Sequence, residues 1–359
     1  MADGKKKIEN IYMDFLRYCL DDRLLLREST KSIDWMQMMA WAEQQAIVGT
    51  IYGGILRGGK ALNVPFDALM EWVGYASQIE SQNRVLNNKC IEIVNEYKKS
   101  GFECVILKGQ GNAAMYPDPQ LRTPGDIDLL VTNKTRQDIT RFVRQKKNLT
   151  GLHYHHVEYE DAGISVEVHF FACSVNNPVY RRRLNDWLGK KEEVILADLP
   201  DGVGQIPVPT REFNVVFQLA HMMHHYFDEG IGLRQFVDYY YLLRSIGKGK
   251  LIIDDLTATL RHLNLYNFAR AVMYIEKETL GLEGKYLIVE PDEKRGKTLL
   301  REILEGGNFG RSSNLDQHSA ARKYFQKTWR NLRLAREYPA EALCEPFFRT
   351  WHFFWRLAH

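Results

Sequence analysis

At 359 residues with 45% hydrophobic content, the chain can bury more than one core, and it is excluded from the disordered class. A formal net charge of +3 is too small to argue for a nucleic-acid partner from the chain as a whole. The 5 cysteines are odd in number, widely spaced and without a CxxC pair, which argues against a disulfide framework or a zinc ribbon and fits a reducing compartment.

The opening stretch MADGKKKIENIYMDFLRYCLDD turns polar and acidic too soon for a signal-peptide core. No run reaches the roughly 20 apolar residues of a membrane span, so the expectation is a soluble cytoplasmic protein. IENIYMDFLRYCL, SIDWMQMMAWAEQQAIVGTIYGGIL and VPFDALMEWVGYASQIESQNRVLNNKCIEIVNEYKKSG repeat apolar residues every three to four positions and predict helices, the last ending near Pro65 and Gly101. The period then changes. FECVILKG, DIDLLV, HYHHVEYED and GISVEVHFF predict strands over 102–171, with a short helix around 112–115 and a longer one at KTRQDITRFVRQKK. EEVILAD adds a strand, and with DLPDGVGQIPVPT it closes the sheet-rich core. From Arg211 the helical period returns in REFNVVFQLAHMMHHYFD, LRQFVDYYYLLRSIG, LIIDDLTATLRHLNL, YNFARAVMYIEKETLG and two basic, aromatic segments. The expected class is α+β: a helical region at 1–98, a mixed sheet core at 99–210 and a helical region at 211–359.

Alternation in DIDLLV puts Asp126 and Asp128 on one strand face and Ile127, Leu129 and Val131 on the other. Two anions so placed repel, and a divalent cation bound by hard oxygen ligands, Mg2+ or Mn2+, relieves that. In ISVEVHF, Ser165, Glu167 and His169 share a face. If this strand pairs beside DIDLLV, Glu167 completes a three-carboxylate cluster of the kind that two-metal phosphoryl transfer needs. The alternative is that Asp126 caps the turn after Pro124 and Gly125 and Glu167 is a solvated strand residue. Upstream, CVILKGQGNAAMYP reads as strand, Lys-Gly-Gln-Gly and short helix, a geometry that suits backbone N–H groups facing an anion and equally suits a plain turn. It is not a Walker A loop, because Lys108 precedes the glycines and no G-K-[ST] follows.

Together, LKGQGNAAMYPDPQLRTPGDIDLLV and the later SVEVHF resemble the polymerase-β-like nucleotidyltransferase superfamily, and more narrowly an uncharacterised bacterial nucleotidyltransferase family with an "LKG … YP … R … GDIDLLV" block in a helical chain. The resemblance is strongest over 102–171. It implies that Asp126, Asp128 and Glu167 bind the metals and that Gly109 and Gly111 border the triphosphate, although Gln110 stands where the superfamily usually has Ser or Gly. Lys108 and Arg122 are candidates for neutralising phosphate charge, and Arg122 is also a candidate for bonding loop carbonyls.

His221 and His225 form an i, i+4 pair in the next helix, a zinc-like spacing without the HExxH glutamate and equally a packing arrangement. The resemblance suggests that His221 with Arg234 and Asp238 walls the nucleotide or acceptor pocket; a helix pair between Arg234 and Asp238 is the alternative. His153 and His155 are expected on one strand face with His156 on the other. His169, beside Glu167, either touches phosphate, orients Glu167 or is structural. The tail combines Arg322, Lys323, Lys327, Arg330, Arg333 and Arg336 with Trp329, Trp351 and Trp355, which reads as helices with a solvated basic face or as a surface for an acidic acceptor.

The expected activity is transfer of a nucleoside monophosphate from an NTP to an acceptor, whether small molecule, protein or RNA. The rival readings are a D-x-D glycosyltransferase using a nucleotide sugar, a nucleotide-binding scaffold without catalysis, and a toxin-like enzyme modifying tRNA.

Overall fold

The computed structural model describes residues 2–191, 193–228, 230–247, 255–308 and 328–358. Its centre is a five-stranded mixed sheet in the order β1-β2-β5-β4-β3. β1 (Cys104–Ile106) runs antiparallel to β2 (Ile127–Val131), which pairs in parallel with β5 (Ile164–His169). β4 (His156–Asp161) and β3 (Leu149–Leu152) continue the sheet antiparallel. The long helix α4 (Phe66–Lys99) feeds β1 through a turn that Gly101 makes at φ 77°, a backbone shape that suits a residue without Cβ.

Two apolar cores follow from the alternation. Ile127, Leu129 and Val131 join Val157, Tyr159, Val166 and Val168 with Cys90, Ile93 and Tyr97 of α4 and Ile139 and Val143 of α6 (Arg136–Lys146). Leu130, on the other face of β2, belongs instead to the larger core built by the flanking helices. That second face is where the sheet meets α8 (Arg211–Phe227) and α9 (Leu233–Ile246), and Asp128 lies on it, 2% exposed. No helix of the described residues is long and apolar enough to cross a membrane.

Several local expectations are corrected. SIDWMQMMAWAEQQAIVGTIYGGIL is not one helix but α2 (Trp35–Gln44) and α3 (Val48–Gly58), broken where Ala46 takes φ 56°. The break frees Gln45, fully buried, to tie distant elements: its Oε1 accepts from the Leu233 amide (3.0 Å), its carbonyl from the Arg234 amide (3.2 Å), and its Nε2 donates to the Ile303 carbonyl (3.1 Å). Strand β3 and helix α7 (Pro178–Gly189) are additions that sequence periodicity missed. β6 (Val194–Asp198) does not extend the main sheet; it forms a separate two-stranded hairpin with β7 (Gln205–Pro209).

Candidate functional site

The parallel register of β2 and β5 sets Asp128 directly opposite Glu167 and Leu130 opposite His169. Asp126, two residues before Asp128 and just outside the strand, is open to the same side. These side chains floor a cavity of about 640 Å³ that Lys108, His221 and Arg234 also line, with Phe348 and His352 from helix α13 (Pro339–Ala358; among the described residues the α-helices between α9 and α13 are α10 Leu256–His262, α11 Tyr266–Tyr274 and α12 Glu293–Gly306).

A chain of polar contacts runs across this floor. Lys108 Nζ is 2.9 Å from Asp128 Oδ1, and His169 Nε2 is 3.0 Å from the same oxygen and 3.3 Å from Glu167 Oε2. Lys108 Nζ also lies 3.2 Å from His221 Nε2, which is 3.1 Å from His225 Nε2. An ammonium has no lone pair, so His221 accepts at Nε2 and is the neutral imidazole. Burial, then the Lys108 charge, holds the His221 pKa well below its ordinary value, in agreement with that assignment.

Burial works against each buried charge, and the partners decide the outcome. For Lys108 burial pulls the pKa down, but Asp128, Asp126 and Glu167 outweigh it and leave it raised. For Asp128 burial pushes up, and Lys108 with His169 outweighs it, leaving the carboxyl well below the usual range. Glu167 is lowered against burial by its bond from His169. His169 is disfavoured as a cation by burial, yet the two carboxylates lift it to about 9. Asp126 goes the other way: the like charge of Asp128, then burial, raises it. A cation added among these acids reverses that repulsion, and all three offer hard oxygen donors, so the residues fit a divalent ion. Asp128, Glu167 and His169 bring one ligand atom each within 4.8 Å of one another.

The structure separates the remaining sequence candidates. Gly109 lines the cavity at φ 53°, whereas Gln110 and Gly111 do not reach it. Gln110 is buried and donates to Asn87 of α4, and Gly111 lets helix α5 (Gln110–Ala113) approach β7, where a Cβ would stand 2.9 Å from Val208 Cγ1. Arg122 bonds few carbonyls. Its Nε and Nη2 each donate to Asp238 at 2.8 Å, forming a buried fork that Tyr116 Oη (2.6 Å) and Asn112 Nδ2 (3.1 Å) complete. Asp238 therefore makes its bonded pair with Arg122, and Arg234 donates to the Pro124 carbonyl (3.2 Å), steadying the turn before Asp126.

The expected split of the histidines does not hold. β4 begins only at His156, so 153–155 form a turn rather than an alternating strand, and His153, His155 and His156 all border the cavity. Sequence reasoning also missed Asn112 and Gln218, joined by a 2.9 Å bond beneath the cavity, and the α13 residues at its rim. The i, i+4 spacing of Phe348 and His352 marks one helix face, but only long-range packing brings that face here. In the tail, Arg330 donates to the carbonyls of Tyr226 and Phe227, Arg333 and Arg336 are exposed, and Arg322, Lys323 and Lys327 lie outside the described residues.

No curated protein matches the chain. Among solved structures it is similar to an antigenic nucleotidyltransferase-like protein from Paracoccidioides brasiliensis, at 11% identity and a TM-score of 0.35, over 59% of this chain and 97% of that one. The model of a family described as uncharacterised nucleotidyltransferase matches residues 31–281, a span that contains β1 to β7, the acid-bearing strands and both helices behind the cavity. The chain belongs to that uncharacterised nucleotidyltransferase family.

Proposed function

We propose that the chain transfers a nucleoside monophosphate from an NTP to an acceptor hydroxyl or phosphate, releasing pyrophosphate, with a divalent cation held by Asp126, Asp128 and Glu167. The observation that carries this is the parallel register that sets Asp128 against Glu167, with Asp126 on the same side, at the floor of an open cavity. When bound, the cation supplies charge neutralisation at the triphosphate and alignment of the attacking oxygen. The chain's own residues do the rest. His169 holds Asp128 and Glu167 in fixed orientation through Nε2. Lys108, anchored on Asp128 and His221 at the cavity wall, is placed to meet phosphate oxygens as a point charge. Arg234 holds the Pro124 carbonyl and lines the cavity as a second cation. The bond formed is acceptor oxygen to α-phosphorus, and the bond broken joins that phosphorus to the departing pyrophosphate.

The experiment is pyrophosphate release from each NTP with Mg2+ or Mn2+, in the wild-type chain and in Asp126→Ala/Asp128→Ala, using cell extract as the acceptor source. Loss of release in a variant that keeps its circular dichroism supports the proposal, and undiminished release sinks it. One observation favours a second reading, a nucleotide-binding scaffold: Asp128 already has cationic partners in Lys108 and His169. NTP binding with no pyrophosphate release across the same acceptor screen supports that reading.

A further inference from the structure

Beside the carboxylates stands a group of imidazoles, of which the proposed transfer reaction uses only His169, and that only through Nε2. His156 and His169 face each other directly across the β4–β5 pair, and His155 precedes His156 in the turn that enters β4. The ring centroids are 4.3 Å apart for His155 and His156, 5.3 Å for His156 and His169, and 5.8 Å for His155 and His169. One ring nitrogen from each lies within 4.8 Å of the other two. His156 and His169 are more than nine-tenths buried, at 6% and 5% exposure.

Hydrogen bonding leaves this group incomplete. The Nδ1 atoms of His155, His156 and His169 are all buried and find no hydrogen-bond partner among the described residues, although Glu167 Oε2 stands 3.7 Å from His156 Nδ1. A buried polar atom without a partner costs on the order of 1–3 kcal/mol, and three on facing side chains is a concentration that ordinary packing avoids. His169 adds a directional argument. Its Nε2 is committed to Asp128 at 3.0 Å, which leaves Nδ1 as its remaining ligand atom. A carboxylate bonded to one ring nitrogen while the other faces a metal is the common support for histidine ligands, because it fixes the ring and raises its basicity.

We infer that His155, His156 and His169 form a binding site for a borderline transition-metal ion, Zn2+ in chemical class, separate from the all-carboxylate site. Imidazole nitrogens suit zinc, whereas Mg2+ takes oxygen ligands, so the two sites select different ions. Zinc–nitrogen bonds of about 2.0–2.1 Å put tetrahedral ligand atoms about 3.4 Å apart, so atoms now within 4.8 Å of one another need to draw in by no more than about 1.4 Å. Three protein ligands leave a fourth position, and all three histidines line the cavity, so that position faces the space where a ligand enters. An ion there tightens the β4–β5 edge and presents a Lewis acid at the cavity wall, linked through His169 to Asp128.

The test uses the full chain purified without a histidine tag, stripped with EDTA and titrated with Zn2+ under competition by a metal indicator, and with Co2+ read by its visible ligand-field absorption. The expected result is one tightly bound ion per chain with a tetrahedral Co2+ spectrum. His155→Ala and His156→Ala should each weaken Zn2+ binding by at least about 100-fold, since losing a ligand costs no less than losing a partner that supports one. Asp126→Ala should leave Zn2+ binding unchanged, so failure of this inference and failure of the proposed transfer reaction read out separately. His155 sits in a half-buried turn, and His155→Ala carries the test if His156→Ala changes the far-UV spectrum. The inference is overturned if wild type binds no Zn2+ above the level of His155→Ala. It is also overturned if binding is lost in Asp126→Ala, or is lost in Glu158→Gln and kept in His155→Ala, which would place the ion on the carboxylates or on His153, His156 and Glu158 instead.

Discussion

Asp238→Ala probes the buried support beneath the site. Asp238 accepts four hydrogen bonds, two from the Arg122 guanidinium and one each from Tyr116 and Asn112, and the side chains of the ion pair are only 5% and 6% exposed. Truncation leaves a buried cation with no counter-charge and two neutral donors with no acceptor. Breaking one side of a buried pair costs about 3–5 kcal/mol, a fifth or more of the roughly 5–15 kcal/mol that holds a typical domain together. Replacing both partners with apolar residues, Arg122→Met with Asp238→Leu, removes the stranded charge while Tyr116 and Asn112 still lack their acceptor, so the cost should fall by about 2 kcal/mol rather than vanish. The assay is equilibrium urea unfolding followed by circular dichroism, with wild type, Arg122→Met, Asp238→Leu and their double variant forming a double-mutant cycle beside Asp238→Ala. Coupling between the two positions of at least about 2 kcal/mol is expected. An Asp238→Ala loss below about 1 kcal/mol, or additive effects, would refute the reasoning and return Asp238 to the role of a ligand contact. The sign with pH is also defined: Arg122 outweighs burial and lowers the Asp238 pKa, so the stabilisation is present above the ordinary aspartate range and is lost as pH falls through it.

Glu341 of α13 gives the opposite pH signature. Burial lifts its carboxyl from 4.5 to about 7 while one oxygen accepts from the Asn176 amide at 2.7 Å. Its contribution is greatest below pH 4.5 and declines as pH rises to 7, a loss of about 3 kcal/mol from that shift. Glu341→Gln should flatten the dependence of thermal stability between pH 5 and pH 8 and melt higher than wild type at pH 8; parallel pH profiles would contradict this. Gly49 of α3 lies against the Pro119–Leu121 turn, where a Cβ would stand 1.8 Å from the Leu121 carbonyl oxygen. Gly49→Ala should cost about 1–3 kcal/mol in urea unfolding by overpacking, and no loss would show that the two backbones can part. Lys108→Met leaves Asp128 paired with His169 at 3.0 Å, so it should retain the fold and raise the KM for NTP; an unchanged KM would remove Lys108 from phosphate binding.

The sequence by itself determined the elements whose side chains repeat in register with their backbone. Alternation in DIDLLV and ISVEVHF was enough to separate Ile127, Leu129, Val166 and Val168 from Asp128, Glu167 and His169, because strand geometry turns every second residue to the same side. The block LKG, YP, R and GDIDLLV was enough to point to the family that the chain proves to belong to. What it could not determine were contacts closed over long stretches of chain. Arg122 and Asp238 are 116 positions apart, and Lys108 and His221 are 113 apart. Gln45 gave no hint that it would break a helix to hold residues 188 and 258 positions away. The three imidazoles were visible as letters, but a strand starting at His156 rather than at His153 brought them to one cavity. Local periodicity is encoded within a few residues, whereas partner choice among buried charges depends on which surfaces the whole fold removes from water together.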